Sequence, residues 1–319
     1  MNRRTFCSSL LALSAAPAVA AEPWPSRPLR IITAGAGVTD IRARWLAERL
    51  GKVLGQPVLV DNKPGAGGLI SMEAGARSTP DGYTIVVVHQ GTIAVNPFIY
   101  ASLPYDPFRD FTPLTRMGFG PLVFVVNPAL GARTVAEFLA LARSRTTPLT
   151  FGSPGVGTPP HLAGELFKRE AGIAATHVPY KSGAQAATDL VGGHLHFCIE
   201  GIIQMRPHIQ AGRVLALATT GAQRVASMPE VPTLREAGLP DYQYNGWAGL
   251  ALPAATPSQI VDRLYMAIAQ VLGGSEAREW FAANGAETGL IPPVEFAAFM
   301  RAEHDKLGKI IRAAGITAE

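Results

Sequence analysis

The residues best suited to chemistry in this chain lie in two Gly-rich turns, each between an apolar strand pattern and a helical pattern. Residues 33–40 read Thr-Ala-Gly-Ala-Gly-Val-Thr-Asp, and residues 152–158 read Gly-Ser-Pro-Gly-Val-Gly-Thr. The first turn of a helix has unpaired N–H groups and a partial positive charge, so it can bind an anion. We therefore expect two anion-binding loops, one in each half of the chain.

The first turn also matches part of a dinucleotide-binding fingerprint. Gly35 and Gly37 supply its first two glycines and Asp61 its acidic residue, but Asp40 stands where the third glycine is required. The missing glycine weakens the close packing of helix on sheet that a dinucleotide site needs. Nucleotide binding is the less favoured interpretation, and no cofactor is predicted.

The second turn raises the alternative of a serine hydrolase built on Ser153 and His161. A nucleophile elbow requires glycine two residues before the serine, and Phe151 stands there. Thr158 suits the N-cap of the following helix, and His161 suits a donor in its first turn. Ligand binding is therefore favoured over acyl transfer, and no catalytic residue is predicted.

A third group of candidate residues alternates along one strand: His194, His196, Cys198 and Glu200. Alternate residues share one face of a sheet, and His and Cys are good zinc ligands. Their spacing of about 6.5 Å along a straight strand suits a tetrahedral site poorly. We expect no metal, and we expect Glu200 to reach a ligand cleft.

The elements that must position these residues alternate between strands and helices along the chain. That alternation predicts an α/β fold with parallel sheets and helices on both faces. The predicted strands are 29–33, 58–62, 84–89, 122–127, 149–153, 176–179, 197–200, 214–219 and 246–252. The predicted helices include 41–54, 134–142, 161–171, 184–191 and 260–272.

Ligands of open parallel sheets bind beyond the carboxyl ends of the strands, where both Gly-rich turns fall. The pattern predicts two lobes that face one cleft: lobe 1 from residues 21–123 and 248–319, and lobe 2 from residues 124–247. The predicted ligand-binding residues are Gly37, Thr39, Asp40, Gln90, Gly91, Thr92, Ser153, Gly157, Thr158, His161, Tyr180 and Glu200.

The amino-terminal residues 1–20 predict an export signal. Arg3 and Arg4 precede a short apolar stretch, and a small-x-small pattern ends it, so Sec or twin-Arg export into the periplasm is expected. Cys7 leaves with this segment, and the remaining Cys198 cannot form an internal disulfide. The formal net charge of +4 falls by two when the segment is removed, which disfavours nucleic acid or a membrane surface as partner.

Several segments of the chain match, in order, those of one known family. They are Trp-Pro-Ser-Arg-Pro-Leu-Arg-Ile at 24–31, Gln-Pro-Val-Leu-Val-Asp-Asn-Lys-Pro-Gly-Ala-Gly-Gly at 56–68, Pro-Asp-Gly-Tyr-Thr at 80–84, Asn-Pro at 96–97, Leu-Pro-Tyr-Asp-Pro at 103–107, the stretch 155–165, His-Val-Pro-Tyr-Lys at 177–181 and Pro-Glu-Val-Pro-Thr at 229–233. In these segments the chain resembles the solute receptors of tripartite tricarboxylate transporters, the Bug family.

That resemblance implies a two-lobed periplasmic binding protein of the type II-like, Venus-flytrap kind. Such a receptor closes as a monomer on a small carboxylate, an organic acid or an amino acid, and delivers it to a membrane permease. Two alternatives stay open: a ligand sensor that signals through a membrane partner, and, less favoured, a periplasmic hydrolase.

The chain departs from the family pattern at two places. The family's first turn usually carries an aromatic residue and Pro-Gly-Gly, whereas residues 33–40 have neither the aromatic residue nor the proline. By the resemblance, this loss implies a different or bulkier ligand. Glu200 stands where the family commonly has Asp or Asn, and either Lys181 or an amine or hydroxyl of the ligand is the expected partner of its carboxylate.

Overall fold

The structure is a computed structural model that describes residues 24–35 and 37–314. The predicted export signal, residues 1–20, lies outside these residues. The strands are β1 (Leu29–Thr33), β2 (Val58–Asn62), β3 (Thr84–His89), β4 (Phe111–Val126), β5 (Leu149–Ser153), β6 (Ala175–Pro179), β7 (Phe197–Gly201), β8 (Leu215–Thr219), β9 (Asn245–Pro253) and β10 (Glu287–Thr288). The helices are α1 (Val38–Leu54), α2 (Leu69–Ala76), α3 (Gln90–Ala94), α4 (Asn96–Ile99), α5 (Val135–Ser144), α6 (Pro159–Ala171), α7 (Gly183–Val191), α8 (Ile202–Gln210), α9 (Ser258–Leu272), α10 (Ser275–Ala283) and α11 (Pro293–Ala314).

All strands join one mixed sheet in the order β2-β1-β3-β9-β4-β7-β5-β6, with β8 and β10 also paired to β4. The outer pairs β1–β2, β1–β3, β5–β6 and β5–β7 are parallel, as predicted, and helices flank them. Strands β4 and β9 run antiparallel to their neighbours. The chain crosses from one half of the sheet to the other in β4 and returns in β9, so these two strands run in opposite directions. The predicted α/β, two-lobed class is confirmed.

Strand β4 joins the two halves of this sheet. Residues 111–121 pair with β9, and residues 122–126 pair with β7 and β8. We call β2-β1-β3-β9 with residues 111–121 the first half-sheet, and residues 122–126 with β7, β8, β5 and β6 the second half-sheet. The strand predicted at 122–127 was too short because Pro113 and Gly118 indicate a break. The register shifts next to both residues, and these irregularities accommodate them within the strand.

Each half-sheet has its own buried core. Ile31, Leu46 and Leu264 belong to the core of the first half-sheet. The core of the second is aromatic: Phe124 lies 4.7 Å from Phe167 between ring centroids. Separate cores keep each half compact, with β4 and β9 as the connection between them. No helix within the described ranges is both long enough and apolar enough to cross a membrane.

Candidate functional site

A cleft of about 880 Å³, partly open to solvent, lies between the two half-sheets. Its walls are formed largely by the amino-terminal ends of helices. On the side of the first half-sheet these are Gly37, Val38 and Thr39 at α1, Gly67 and Gly68 before α2, and His89 before α3. On the side of the second half-sheet they are Thr158 before α6, Ser182 and Gly183 at α7, and Gly201 and Ile202 at α8.

These helix ends converge because each helix follows the carboxyl end of a strand, and the carboxyl ends of parallel strands meet at one edge of a sheet. The N–H groups at these helix ends that have no capping partner point a partial positive charge at the cleft, which favours a bound carboxylate. Of the predicted ligand-binding residues, Gly37, Thr39, Thr158 and Glu200 line this cleft.

Arg42 lines the cleft as well, although the sequence interpretation did not select it. The residue is only 9% exposed, and its guanidinium carbon lies 5.5 Å from the ring centroid of Phe281. Burial lowers the pKa of Arg42 to about 10, so the side chain stays cationic at neutral pH. None of the ion pairs found among the described residues involves it. Its charge is therefore available to a ligand.

His89 is a second lining residue that the sequence interpretation missed. Its Nδ1 accepts a hydrogen bond of 3.1 Å from the N–H of Gly91, so the ring proton is on Nε2. Burial lowers the pKa of His89 to about 4, and the ring is neutral at pH 7. A Cβ at Gly68 would lie 3.1 Å from Nε2, which puts this nitrogen against the cleft wall. His89 therefore supplies a neutral donor to the cleft.

Glu200 is the one acidic side chain among the lining residues of the described chain. It is 4% exposed, and its Oε1 accepts a hydrogen bond of 2.8 Å from the N–H of Gly201. Burial raises the pKa of Glu200 to about 7, although the Gly201 hydrogen bond opposes this rise. A buried carboxyl group is thus built into the wall formed by the second half-sheet.

The second Gly-rich turn is held by contacts behind the cleft wall. Ser153 is fully buried, and its Oγ lies 2.7 Å from Nε2 of His177 and donates to the carbonyl oxygen of Gly155. The N–H of Gly157 donates to Nδ1 of His161, so the neutral ring carries its proton on Nε2. Ser153, Gly157 and His161 do not line the cleft and fix the shape of the turn instead.

The predicted N-cap position of Thr158 on α6 is confirmed, but its hydroxyl does not cap the helix. Thr158 is at the N-cap position, but its Oγ1 donates to the carbonyl oxygen of Gly155 at 2.7 Å and makes no cap bond. Pro159 and Pro160 occupy the first helical positions and have no N–H for a cap to satisfy. For the same reason, α6 offers an anion fewer donors than the other helix ends.

Three further predicted residues, Asp40, Gly91 and Thr92, lie in helices that follow strands of the first half-sheet. Asp40 accepts a hydrogen bond of 3.0 Å from Arg44 one turn along α1. Thr92 exchanges hydrogen bonds with the backbone of His89 and closes a capping box. Gly91 packs against the carbonyl group of Gly157 in the other half of the molecule. None of the three lines the cleft.

The last two predicted residues face away from the cleft. Gln90 accepts a hydrogen bond from the Tyr244 hydroxyl and donates one of 3.0 Å to Glu303 on α11, in a second cavity. The Tyr180 hydroxyl donates to Asp189 at 2.6 Å. Both side chains therefore connect secondary-structure elements.

Of the four residues weighed as zinc ligands, only Cys198 and Glu200 lie in β7; His194 and His196 precede the strand, so the four do not share one sheet face as expected. His196 Nδ1 lies 2.8 Å from the Thr150 hydroxyl, and Cys198 is buried with a pKa raised by burial. Across residues 24–35 and 37–314, no three His, Cys, Asp or Glu side chains are grouped as metal ligands.

The sequence profile of the tripartite tricarboxylate transporter family receptor matches residues 42–316. The chain belongs to this receptor family. Protein BugT of Bordetella pertussis is 34% identical over 304 residues, which cover 94% of this chain and 93% of BugT. The resemblance found in the sequence motifs is confirmed.

Solved structures of other receptors share the fold. Rpa4515 of R. palustris, solved with adipate, superimposes with a TM-score of 0.89 at 33% identity, and the match covers 92% of this chain and 99% of Rpa4515. MatC of Rhodopseudomonas palustris, solved with bound malate, gives a TM-score of 0.84 at 30% identity, covering 90% of this chain and 100% of MatC. Both neighbours of this receptor thus hold small carboxylates.

Proposed function

We propose that this protein is an exported receptor that captures a small carboxylate in the cleft and delivers it to a tripartite tricarboxylate-type permease. The observation that carries the proposal is the convergence, on one cleft, of helix amino-terminal ends with a buried arginine that has no ion-pair partner among the described residues. A carboxylate removed from water is costly unless it is paired and hydrogen-bonded. This cleft offers both kinds of compensation.

In the proposed complex, one ligand carboxylate binds to the side of the first half-sheet. The backbone N–H groups at the start of α1 donate to its oxygens, and the neutral His89 adds a donor through Nε2. Arg42 supplies the positive charge. Hydrogen bonds between charged groups are shorter and about twice as strong as neutral ones, so this set favours an anion over a neutral ligand.

Closure of the cleft is the proposed conformational step. Gly67 packs against the carbonyl group of Val156, and Gly91 packs against that of Gly157, so two glycines of the first half meet the second Gly-rich turn. A ligand held by both halves binds the closed state better than the open state and shifts the population toward it. A permease that recognises the closed form then receives only loaded receptors.

The proposed setting is the periplasm, with the receptor acting as a monomer. The signal pattern at residues 1–20 and the family of the chain support export. Sequencing of the mature amino terminus in the native host tests it, and an intact Met1 on cytoplasmic protein would contradict it. Loss of uptake of the bound acid after gene deletion, restored by the wild-type gene, tests delivery to a permease.

The carboxylate site is tested by native mass spectrometry of freshly purified protein, followed by calorimetry with the acid that it retains. Arg42→Gln should weaken binding by about 10- to 100-fold, because a hydrogen bond to a charged group contributes about 1.5–3 kcal/mol. Arg44→Gln is the matched control, since Arg44 is on the same helix but binds Asp40. Equal affinity of the wild type and Arg42→Gln would remove the cleft from the proposal.

A further inference from the structure

The second half-sheet presents its own carboxylate to the helix ends that would otherwise bind an anionic ligand. Pro159 and Pro160 remove donors from α6, so α7 and α8 carry the remaining unpaired N–H groups on that side. The N–H of Gly201 donates to Oε1 of Glu200, and a Cβ at Gly183 would lie 3.0 Å from Oε2. Glu200 thus lies against the starts of both helices.

This carboxyl group has no cation beside it in the described chain. No ion pair among the described residues joins Glu200 to Lys181, the partner expected from the sequence, or to Arg42, which lines the same cleft. His89, which lines the same cleft, is neutral, and Cys198, two residues before Glu200, keeps a protonated thiol because burial and Glu200 raise its pKa. When it is ionised, Glu200 therefore has no positively charged partner among the described residues until a ligand binds.

A buried side-chain oxygen without a hydrogen-bond partner among the described residues lies near Glu200. The Oε1 atom of Gln204, one turn into α8, is buried and accepts no hydrogen bond from the described residues. A Cβ at Gly183 would lie 3.3 Å from this oxygen and 3.3 Å from the amide nitrogen of the same side chain, and a Cβ at Gly37 would lie 3.2 Å from the oxygen. Two buried acceptors near one point favour a group that donates several hydrogen bonds.

On the basis of the proposed function, we propose that the ligand carries one carboxylate and one cationic nitrogen, and that Glu200 selects this nitrogen and rejects a second carboxylate. The carboxylate binds beside Arg42 and His89. An ammonium group binds Glu200 and Gln204, donating to both acceptors and pairing with the buried charge. The receptor then prefers an amino acid to a plain diacid of the same length.

A plain diacid could bind only if Glu200 first took up a proton, because two facing carboxylates repel each other. The two ligand classes therefore differ in the sign of proton exchange. At pH 6.5 an ammonium ligand should release protons from Glu200, whereas a diacid should cause proton uptake. Calorimetry in buffers of different ionisation enthalpy measures this exchange on the wild-type protein.

The test uses pairs of probes that differ only at one end: 6-aminohexanoate against adipate, and 4-aminobutanoate against succinate, with α-amino acids added. The amino acids should bind the wild type more tightly and with proton release. Glu200→Gln should weaken their binding by about 30-fold or more, as truncation of a buried charge pair does, and should leave the diacids unchanged or improved. Glu170→Gln, which changes an exposed pair with Arg169 on α6, is the matched control.

The outcomes separate this inference from the proposed function. Tighter binding of a diacid to the wild type, proton uptake on binding, or amino-acid affinity unchanged in Glu200→Gln would overturn the inference alone. A retained acid without a cationic nitrogen would do the same and leave the carboxylate receptor standing. If no acid is retained and none shifts the melting temperature, both proposals fail. The measurement of proton exchange uses the wild-type protein, so it tests the inference even if Glu200→Gln does not fold.

Discussion

Replacing Glu200 by glutamine should stabilise the ligand-free protein in a pH-dependent way. Burial raises the pKa of Glu200 from its ordinary value of 4.5 to about 7. Below pH 4.5 the carboxyl group is protonated in both the folded and unfolded states and contributes nothing. As pH rises from 4.5 to 7, only the unfolded state loses the proton, so folding stability falls. Above pH 7 the penalty is complete.

The magnitude follows from the size of the pKa difference. It corresponds to about 3 kcal/mol of folding stability lost at pH 8 relative to pH 4.5. Glutamine keeps an oxygen that can accept from Gly201 and has no charge to bury. We therefore expect Glu200→Gln to raise the free energy of unfolding by up to about 3 kcal/mol at pH 8 and to change it little at pH 4.5.

Urea unfolding of both proteins between pH 4.5 and 8 measures this difference. The wild type and the variant must be compared at each pH, because His89 and His177 change folding stability with pH in the direction opposite to Glu200. Burial lowers their pKa values to about 4 and about 3, so protonation of the unfolded state destabilises the fold as pH falls below 6.5. These contributions cancel in the difference between the two proteins. A difference independent of pH, or a destabilised variant at pH 8, would refute the reasoning.

Two further predictions concern closure and the core. Gly67→Ala should weaken ligand binding by about 10- to 100-fold, because its Cβ would meet the carbonyl group of Val156 and resist closure. Gly172→Ala, at a similar positive φ with open space around it, should leave calorimetric affinity unchanged, and equal effects of the two would contradict the closure argument. Phe124→Ala should lower the free energy of unfolding by about 3–5 kcal/mol, since the side chain is fully buried among aromatic rings. A loss below about 1 kcal/mol in urea unfolding would show that this core is loosely packed.

The sequence predicted most elements because hydrophobic periodicity is a local signal. Strands β1, β2, β3 and β5 have the predicted bounds. Helices α1, α6 and α9 begin two or three residues earlier than predicted, because their first turns carry Pro, Thr or Ser in place of the apolar repeat. The sequence did not predict residues 111–121 of β4, because Pro113 and Gly118 disfavour a strand. Pairing with β9, which is distant in sequence, compensates for these two residues.

The sequence by itself determined the order of elements, the family, and the two Gly-rich turns at strand ends. Only the tertiary structure decided which side chains enter the cleft. Arg42 has no distinguishing neighbours in sequence, and its direction depends on how α1 packs on the sheet. Ser153 and Tyr180 have the types and positions of ligand-binding residues, yet partners from other elements, His177 and Asp189, bind them behind the wall. Local spacing fixes which residues stand at the end of an element, whereas the direction of each side chain depends on the distant segments packed against it.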